Sequence, residues 1–241
     1  MNDVDGIRAY YHATLPFYDA ALADRRDLPF WESIAKRWTS KRVLELGCGT
    51  GRVTEVLARH ADVTAVDLLI ELLDRASERA GRARFVAADL RRFAFRKPFD
   101  LIILANDPMA HLTAIADRRS ALRLIRENLA AGGRIVVEGL FRPSGAPAVV
   151  PARQVRTATG EMFTVEETWR RESEEPVWKV VYRYRQGSSI HEVATAVRSW
   201  TRGEVDALAQ AGLQVESLWG DFAESPFRDS SNRIVFVATR V

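Results

Sequence analysis

The stretch Val43-Leu44-Glu45-Leu46-Gly47-Cys48-Gly49-Thr50-Gly51 runs a hydrophobic strand directly into three glycines at alternate positions, and few folds accommodate that. Glycine there lets the chain turn sharply from strand to helix and lets the backbone approach a ligand closely. The following helix presents free N–H groups at the same turn. An acidic residue, Glu45, stands two places before the first glycine. A pyrophosphate bound at this turn would meet that carboxylate, an unfavourable pairing of like charges, whereas a ligand carrying an ammonium group would gain from it. The glycines also read G-x-G-x-G, not the G-x-G-x-x-G of dinucleotide-binding turns. Both departures point away from NAD or FAD and suit S-adenosylmethionine, which has no phosphate and carries an amino group.

Downstream residues agree with that ligand. A helix is expected near 52–60, then a strand over 63–66 ending in Asp67, where a carboxylate can accept both hydroxyls of a ribose. The next strand, 84–88, ends in Asp89, and a further strand, 99–104, ends at Asn106-Asp107-Pro108. Together with these strand ends, Glu45-Leu46-Gly47-Cys48-Gly49-Thr50-Gly51 resembles motif I of the class I S-adenosylmethionine-dependent methyltransferases. In that family the acidic end of the second strand binds ribose and that of the third lies by the adenine. The resemblance therefore implies a cofactor site of Glu45, Gly47, Gly49, Gly51, Asp67, Leu68, Asp89, Leu90 and Asn106. Taken alone, each strand-end aspartate reads equally well as the N-cap of the next helix.

With 241 residues, 47% of them hydrophobic, the chain can bury one sizeable core with a subsidiary lobe. The acidic start Met1-Asn2-Asp3-Val4-Asp5 lacks the basic-then-apolar order of a secretory signal, and no apolar run approaches membrane-spanning length. The single cysteine, Cys48, excludes an intrachain disulfide and a cysteine metal cluster and reads as a small residue filling the turn, consistent with a reducing cytoplasm. The net charge is only +3 and the arginines are scattered among carboxylates, which argues for a solvated surface and against a nucleic-acid footprint.

Strands near 42–46, 63–66, 84–88, 99–104 and 134–138 alternate with helices, the last over 114–130 and closing on Gly132-Gly133. This alternation predicts an α/β fold, a Rossmann-like doubly wound sheet; the family resemblance implies seven strands with an antiparallel last strand. Residues 1–40 read as a helical cap over the ligand cleft, 41–141 as the cofactor-binding core, 142–200 as an antiparallel β insertion, and 201–241 as a helix and strand pair completing the core. The insertion follows the breaker-rich Phe141-Arg142-Pro143-Ser144-Gly145-Ala146-Pro147 and shows strand-like runs at 154–159, 162–170, 177–185 and 191–200. Thr201-Arg202-Gly203-Glu204 has the form of a capping box, and strands are expected at 214–218 and 233–239.

Methyl transfer from a sulfonium is an in-line displacement in which the protein mainly aligns the partners and excludes water, with no metal required. An amine acceptor needs only to lose a proton, whereas a hydroxyl acceptor profits from a general base. The candidate catalytic residues are His111, Tyr18 and Glu138, with His191 a further candidate base. His111 reads equally as a core or helix-start histidine. Planar-amine methyltransferases of this fold carry an Asn/Asp-Pro-Pro-aromatic motif where this chain has Asn106-Asp107-Pro108-Met109, a departure that argues against a nucleobase or glutamine acceptor. The segment resembles small-molecule enzymes instead, and Phe17-Tyr18-Asp19 and Val136-Val137-Glu138 resemble the sugar-amine N-methyltransferases.

The expected partner is thus a small-molecule acceptor methylated on N or O. Phe163, Trp169, Trp178, Tyr182 and Tyr184 of the insertion either line its pocket or form a homodimer interface, and Arg153, Arg156 and Arg183 permit an anionic acceptor. The competing functions are an RNA or protein methyltransferase and a non-catalytic regulator that binds the same nucleoside.

Overall fold

The computed structural model describes residues 4–22, 26–38, 41–143, 145–157, 159–171 and 174–241, so the acidic start at Met1 to Asp3, Ser144 of the breaker segment and part of the cap lie outside the described residues. The chain opens with α1 (Val4–Thr14), α2 (Tyr18–Ala21) and α3 (Leu28–Arg37). There follow β1 (Arg42–Leu46), α4 (Arg52–Leu57), β2 (Asp62–Asp67), α5 (Ile70–Arg79), β3 (Arg84–Ala87), β4 (Phe99–Leu104), a 3-10 turn at Pro108–His111, α6 (Ile115–Glu127) and β5 (Leu129–Leu140). Four long strands come next, β6 (Val149–Arg156), β7 (Met162–Arg171), β8 (Val177–Gln186) and β9 (Ser189–Arg198). The chain ends with α7 (Arg202–Asp206), a 3-10 turn at Ala207–Ala211, β10 (Leu213–Trp219) and β11 (Arg233–Arg240).

The main sheet has seven strands in the order β10-β11-β5-β4-β1-β2-β3. β1 to β5 pair in parallel, while β11 runs antiparallel to both β5 and β10. Its central strands are buried on both faces, so they read as continuous apolar runs. Leu44, Leu46, Ile102, Leu104, Ile135 and Val137 pack one way, towards α6. Val43, Val63, Leu101, Ile103 and Val136 pack the other way, against Phe30, Trp31 and Ile34 of α3. The strand order reverses between β1 and β4, and the carboxyl ends of those strands are where this architecture leaves a crevice.

The second sheet, β6-β7-β8-β9, is antiparallel throughout. One cluster on it joins Val155, Val165, Tyr184 and Val193 to Phe17 and Ala20 of the N-terminal region. Another joins Trp169, Val180 and Val197 to Ala110 of the first 3-10 turn. The sheet therefore leans on the elements that roof the crevice.

Several boundaries differ from the sequence expectation. α6 stops at Glu127, not near 130, because Asn128 closes it: the side-chain amide donates to the Leu124 carbonyl at 2.8 Å and its carbonyl oxygen accepts from the Phe95 N–H at 3.0 Å. Leu129 then pairs with Phe99 and Arg134 with Leu101, so the intervening residues bulge out, with Gly132 at φ 73°. β6 starts at Val149, well before 154, with a register shift between Val150 and Arg153 that spans Pro151, a residue without the N–H a regular ladder needs. β9 starts at Ser189, because the Gly187-Ser188 hairpin brings Gln186 opposite Ser189, and it ends at Arg198, before Trp200 enters the core.

Candidate active site

The backbone of the turn after β1 is fixed by its neighbour strand. Gly47 and Cys48 donate to the Val66 carbonyl at 2.7 and 3.0 Å, and Gly49 donates to Asp67 Oδ2 at 2.8 Å. Gly47 has φ 73°, and a Cβ there would lie 2.2 Å from Pro108 Cβ, so the turn and the loop after β4 touch at a point where only glycine fits. Gly49 has φ 54° and lies under the Tyr18 ring, whose hydroxyl would be 2.4 Å from an added Cβ. Gly51 packs against Ala76 of α5.

Over this turn lies a cleft. Of the sequence-predicted cofactor residues, Glu45, Gly47, Asp67, Leu68, Asp89, Leu90 and Asn106 line it, whereas Gly49 and Gly51 shape the turn without lining the cleft. Ile7 and Tyr11 of α1, with Tyr18 and Leu22, roof it. The N-terminal region is fastened to the glycine turn and α4 by Arg52, which holds Asp27 at 2.5 and 2.8 Å, and by Thr50, which donates to Asp19 at 2.6 Å.

Each carboxylate in the cleft has a different electrostatic setting. Burial pushes Glu45 up to about 8, against the opposing pull of the Thr54 hydroxyl that donates to it and of Arg52. Asp67 is also raised by burial, more than its bonds from Gly49 and from Leu69 N–H at 3.1 Å bring it down; each of its oxygens keeps capacity to accept from a ligand hydroxyl. Burial acts on Asp89 too, but Arg91 outweighs it through a 2.7 Å ion pair and a backbone N–H, leaving the carboxyl below its ordinary value. Arg91 therefore already occupies the carboxylate expected to meet an adenine amino group.

The loop after β4 is strained and clamped. Asn106 and Asp107 both have left-handed backbones, at φ 56° and 43°, which for non-glycine residues persists only where the surroundings enforce it. Asn106 N–H donates to Glu138 Oε2 at 2.7 Å and Asp107 N–H to the Glu138 carbonyl at 3.1 Å. Asp107 in turn accepts from Leu140 N–H at 2.7 Å and from Trp200 Nε1 at 3.4 Å. The other oxygen of Glu138 accepts from Arg233 at 2.6 Å, so Glu138 is engaged in holding this loop.

A second cavity adjoins the first, and Tyr11, Tyr18, Leu22, Asn106 and His111 line both. His111 is 9% exposed, and burial lowers its imidazole to about 4, so it is neutral at physiological pH. Its Nδ1 lies 3.4 Å from the Thr195 hydroxyl, and its ring is 5.3 and 5.2 Å from those of Tyr10 and Tyr11. His191 is elsewhere: its Nε2 donates to the Ala13 carbonyl at 2.9 Å, fastening β9 to α1. Trp169, Tyr182, Tyr184 and Arg153 of the second sheet line the second cavity, Phe163 rests on Phe17 at 4.8 Å, and Arg183 points to Glu192 on the exposed side.

Tyr10, Tyr11 and Thr195 were not singled out as site residues from the sequence. Tyr11 lies on α1 and Tyr18 begins α2, so helical periodicity does not place the two on one face. Among the described residues no group of three or more His, Cys, Asp and Glu side chains is placed to hold a metal, and no helix is long and apolar enough to cross a membrane.

This geometry has counterparts among known proteins. A methyltransferase domain family matches residues 43–133. A nodulation protein S from Rhizobium tropici is 35% identical over 97 residues, which cover 39% of this chain and 40% of that relative. A cypemycin N-terminal methyltransferase from Streptomyces is 28% identical over 96% of this chain and 97% of its own length. Among solved structures, an S-adenosylmethionine-bound amino pentose methyltransferase from Micromonospora echinaspora, involved in calicheamicin biosynthesis, superposes with a TM-score of 0.73 at 23% identity, covering 100% of this chain and 98% of its own. Residues 43–133, which hold the glycine turn and the strand-end acids Asp67 and Asp89, therefore match a methyltransferase domain.

Proposed function

We propose that the chain transfers a methyl group from S-adenosylmethionine to the nitrogen of a small-molecule amine, with the cofactor in the cleft over the glycine turn and the acceptor in the adjoining cavity. When bound, the cofactor supplies the activated methyl group together with its own thioether leaving group. The fit rests on Glu45, a buried carboxylate suited to an ammonium group, on the close approach that Gly47 permits, and on Asp67, whose oxygens can receive ribose hydroxyls. Asp67→Ala is expected to weaken cofactor binding by about 1.5–3 kcal/mol, read by calorimetry. Asp67→Asn should recover part of the loss because its carbonyl oxygen can still accept from Gly49, and unchanged affinity in both variants would remove Asp67 from the site.

The observation that carries the nitrogen reading is the tyrosine cage. The chain has five tyrosines, and all five line the second cavity. Their rings form one continuous chain of contacts, Tyr18 to Tyr11 at 6.0 Å, Tyr11 to Tyr10 at 5.0 Å, Tyr10 to Tyr182 at 6.2 Å and Tyr182 to Tyr184 at 6.5 Å. Burial raises the phenol pKa of every one, so the rings stay neutral and present π faces and hydroxyls. Such a cage favours an amine and its methylated, cationic product.

The charges lining that cavity point the same way. Arg153 pairs with Glu167 at 3.0 Å and Arg233 with Glu138 at 2.6 Å, which leaves no lining arginine unpaired for an anionic acceptor. A hydroxyl acceptor would need a strong base, and His111 at about 4 is a weak one. For a neutral amine, whose lone pair is already available, a neutral imidazole has only to accept an N–H hydrogen bond and orient the nitrogen. His111→Gln is expected to reduce turnover about 100-fold with cofactor affinity unchanged. Equal losses in both would instead make His111 a packing residue.

On this reading residues 142–200 form an acceptor lid joined to the core 41–141, with 1–40 as cap and 201–241 completing the sheet. Trp169, Tyr182 and Tyr184 turn towards the cavity, so a homodimer through the same sheet would have to use its other face. The decisive measurement is mass-spectrometric detection of methyl addition to matched amino and hydroxy sugars. Addition to the amines alone is the expected result, and addition to the hydroxy compounds would overturn the choice of nitrogen. Cofactor binding without transfer to any acceptor would favour a regulator, and salt-sensitive methylation of tRNA would favour the nucleic-acid alternative.

A further inference from the structure

A third cavity, open to solvent, lies between α6 and the segment from Thr201 to Gly212, apart from both cavities described above. Arg119, Arg123 and Arg126 recur at helical spacing along α6 and edge it, and Arg118 and Arg198 close its inner end. Glu204 is the one acidic side chain in its lining. That carboxylate is already committed to Arg198 at 3.0 Å and to the Thr201 N–H at 2.9 Å in the helix cap. Arg123 pairs with Glu127 only on the exposed helix surface, a contact worth little. The groove therefore carries a net positive charge.

Its guanidinium donors are also underused. Arg118 is 1% exposed and lies over the Trp200 ring at 4.7 Å. Its Nη2 donates to the Arg198 carbonyl at 2.6 Å, but its Nη1 is 3.6 Å from Glu204, beyond hydrogen-bond reach. Arg118 Nε and Nη1, and Arg126 Nε, have no hydrogen-bond partner among the described residues. A buried guanidinium with idle N–H groups is unfavourable unless something accepts from them. Leu122, Leu208 and Trp200 meanwhile give the groove an apolar floor.

We propose that this groove is a second ligand site, for an organic anion whose phosphate or carboxylate group is taken by the arginines of α6 and whose apolar body lies on Leu122, Leu208 and Trp200. The guanidinium fork suits either oxyanion bidentately. The floor is continuous with the loop that carries Asn106 and His111, because Trp200 Nε1 donates to Asp107. Neither the methyl donor nor the acceptor needs this groove, so the site stands or falls separately from the proposed reaction.

Calorimetric titration of the full chain with phenyl phosphate tests it, with benzyl alcohol as the uncharged control and with S-adenosylhomocysteine present and absent. The expected result is binding that the control lacks, that salt weakens and that S-adenosylhomocysteine leaves intact. The Arg119→Gln/Arg126→Gln variant should bind about tenfold more weakly, and Arg153→Gln, in the acceptor cavity, should bind as the parent does. Arg119 is exposed, so Arg119→Gln alone keeps the test valid if the double variant unfolds. Absence of binding, equal affinity in the groove variants, or loss of binding in Arg153→Gln would overturn the site.

Discussion

Replacing Gly47 with alanine is expected to destabilise the protein by about 3 kcal/mol and to abolish cofactor binding, the first read by urea unfolding and the second by calorimetry. Two separate effects combine. The backbone at φ 73° is left-handed, which costs an L side chain roughly 1–2 kcal/mol. The new methyl would also lie 2.2 Å from Pro108 Cβ and 2.9 Å from its Cγ. Pro108 cannot easily retreat, because it begins the 3-10 turn after Asn106 and Asp107, both clamped onto Glu138 and Leu140. Relieving the overlap therefore moves the strained loop or the turn itself, at roughly 1–3 kcal/mol. Gly132→Ala is the control, since Gly132 shares φ 73° but has nothing within 4 Å of the added Cβ. That variant should lose only the backbone contribution, and equal losses in the two would show that the Pro108 contact carries no weight.

The parts of the site legible in the sequence are those set by local rules. A glycine turn after an apolar strand and acids at the ends of the next two strands fall on one side of any doubly wound sheet, so Glu45, Asp67 and Asp89 come together without tertiary information. What periodicity cannot show is which side chain claims a group first. Asp89 reads as a free strand-end acid until Arg91 is seen wrapped on it, and Glu138 reads as a candidate base until Arg233 and the Asn106 N–H are seen on its oxygens. The tyrosine cage is hidden for a related reason. Tyr10, Tyr11 and Tyr18 come from the start of the chain and Tyr182 and Tyr184 from β8, and only the leaning of the second sheet onto the N-terminal helices joins them. The bulge within β5 was equally invisible, because Gly132-Gly133 reads as a helix stop whether or not the residues before it pair with β4.

Glu45 gives the second large effect, and its sign follows from burial. The folded carboxyl sits at about 8 against an ordinary value of 4.5, so the folded state holds the proton more tightly than the unfolded chain. Below pH 4.5 both states are protonated and Glu45 has no pH-dependent effect; from there to about pH 8 the unfolded chain gains by ionising, and folding stability falls. The full loss is on the order of 5 kcal/mol above that window. Glu45→Gln removes it while keeping an oxygen to accept from Thr54, so the variant should be the more stable protein at pH 8 and indistinguishable from the parent near pH 4. Cofactor binding should move oppositely. An ammonium-bearing ligand selects the ionised carboxylate, whose population rises about tenfold per pH unit below its pKa, so the parent should bind progressively more tightly up to about pH 8. The glutamine variant should bind more weakly and show only the titration of the ligand itself, which makes the difference between the two profiles the signature of Glu45. Thermal melts and calorimetry of both proteins across pH 5 to 9 measure the two arms, and parallel profiles in both would remove Glu45 as the partner of the ligand's ammonium group.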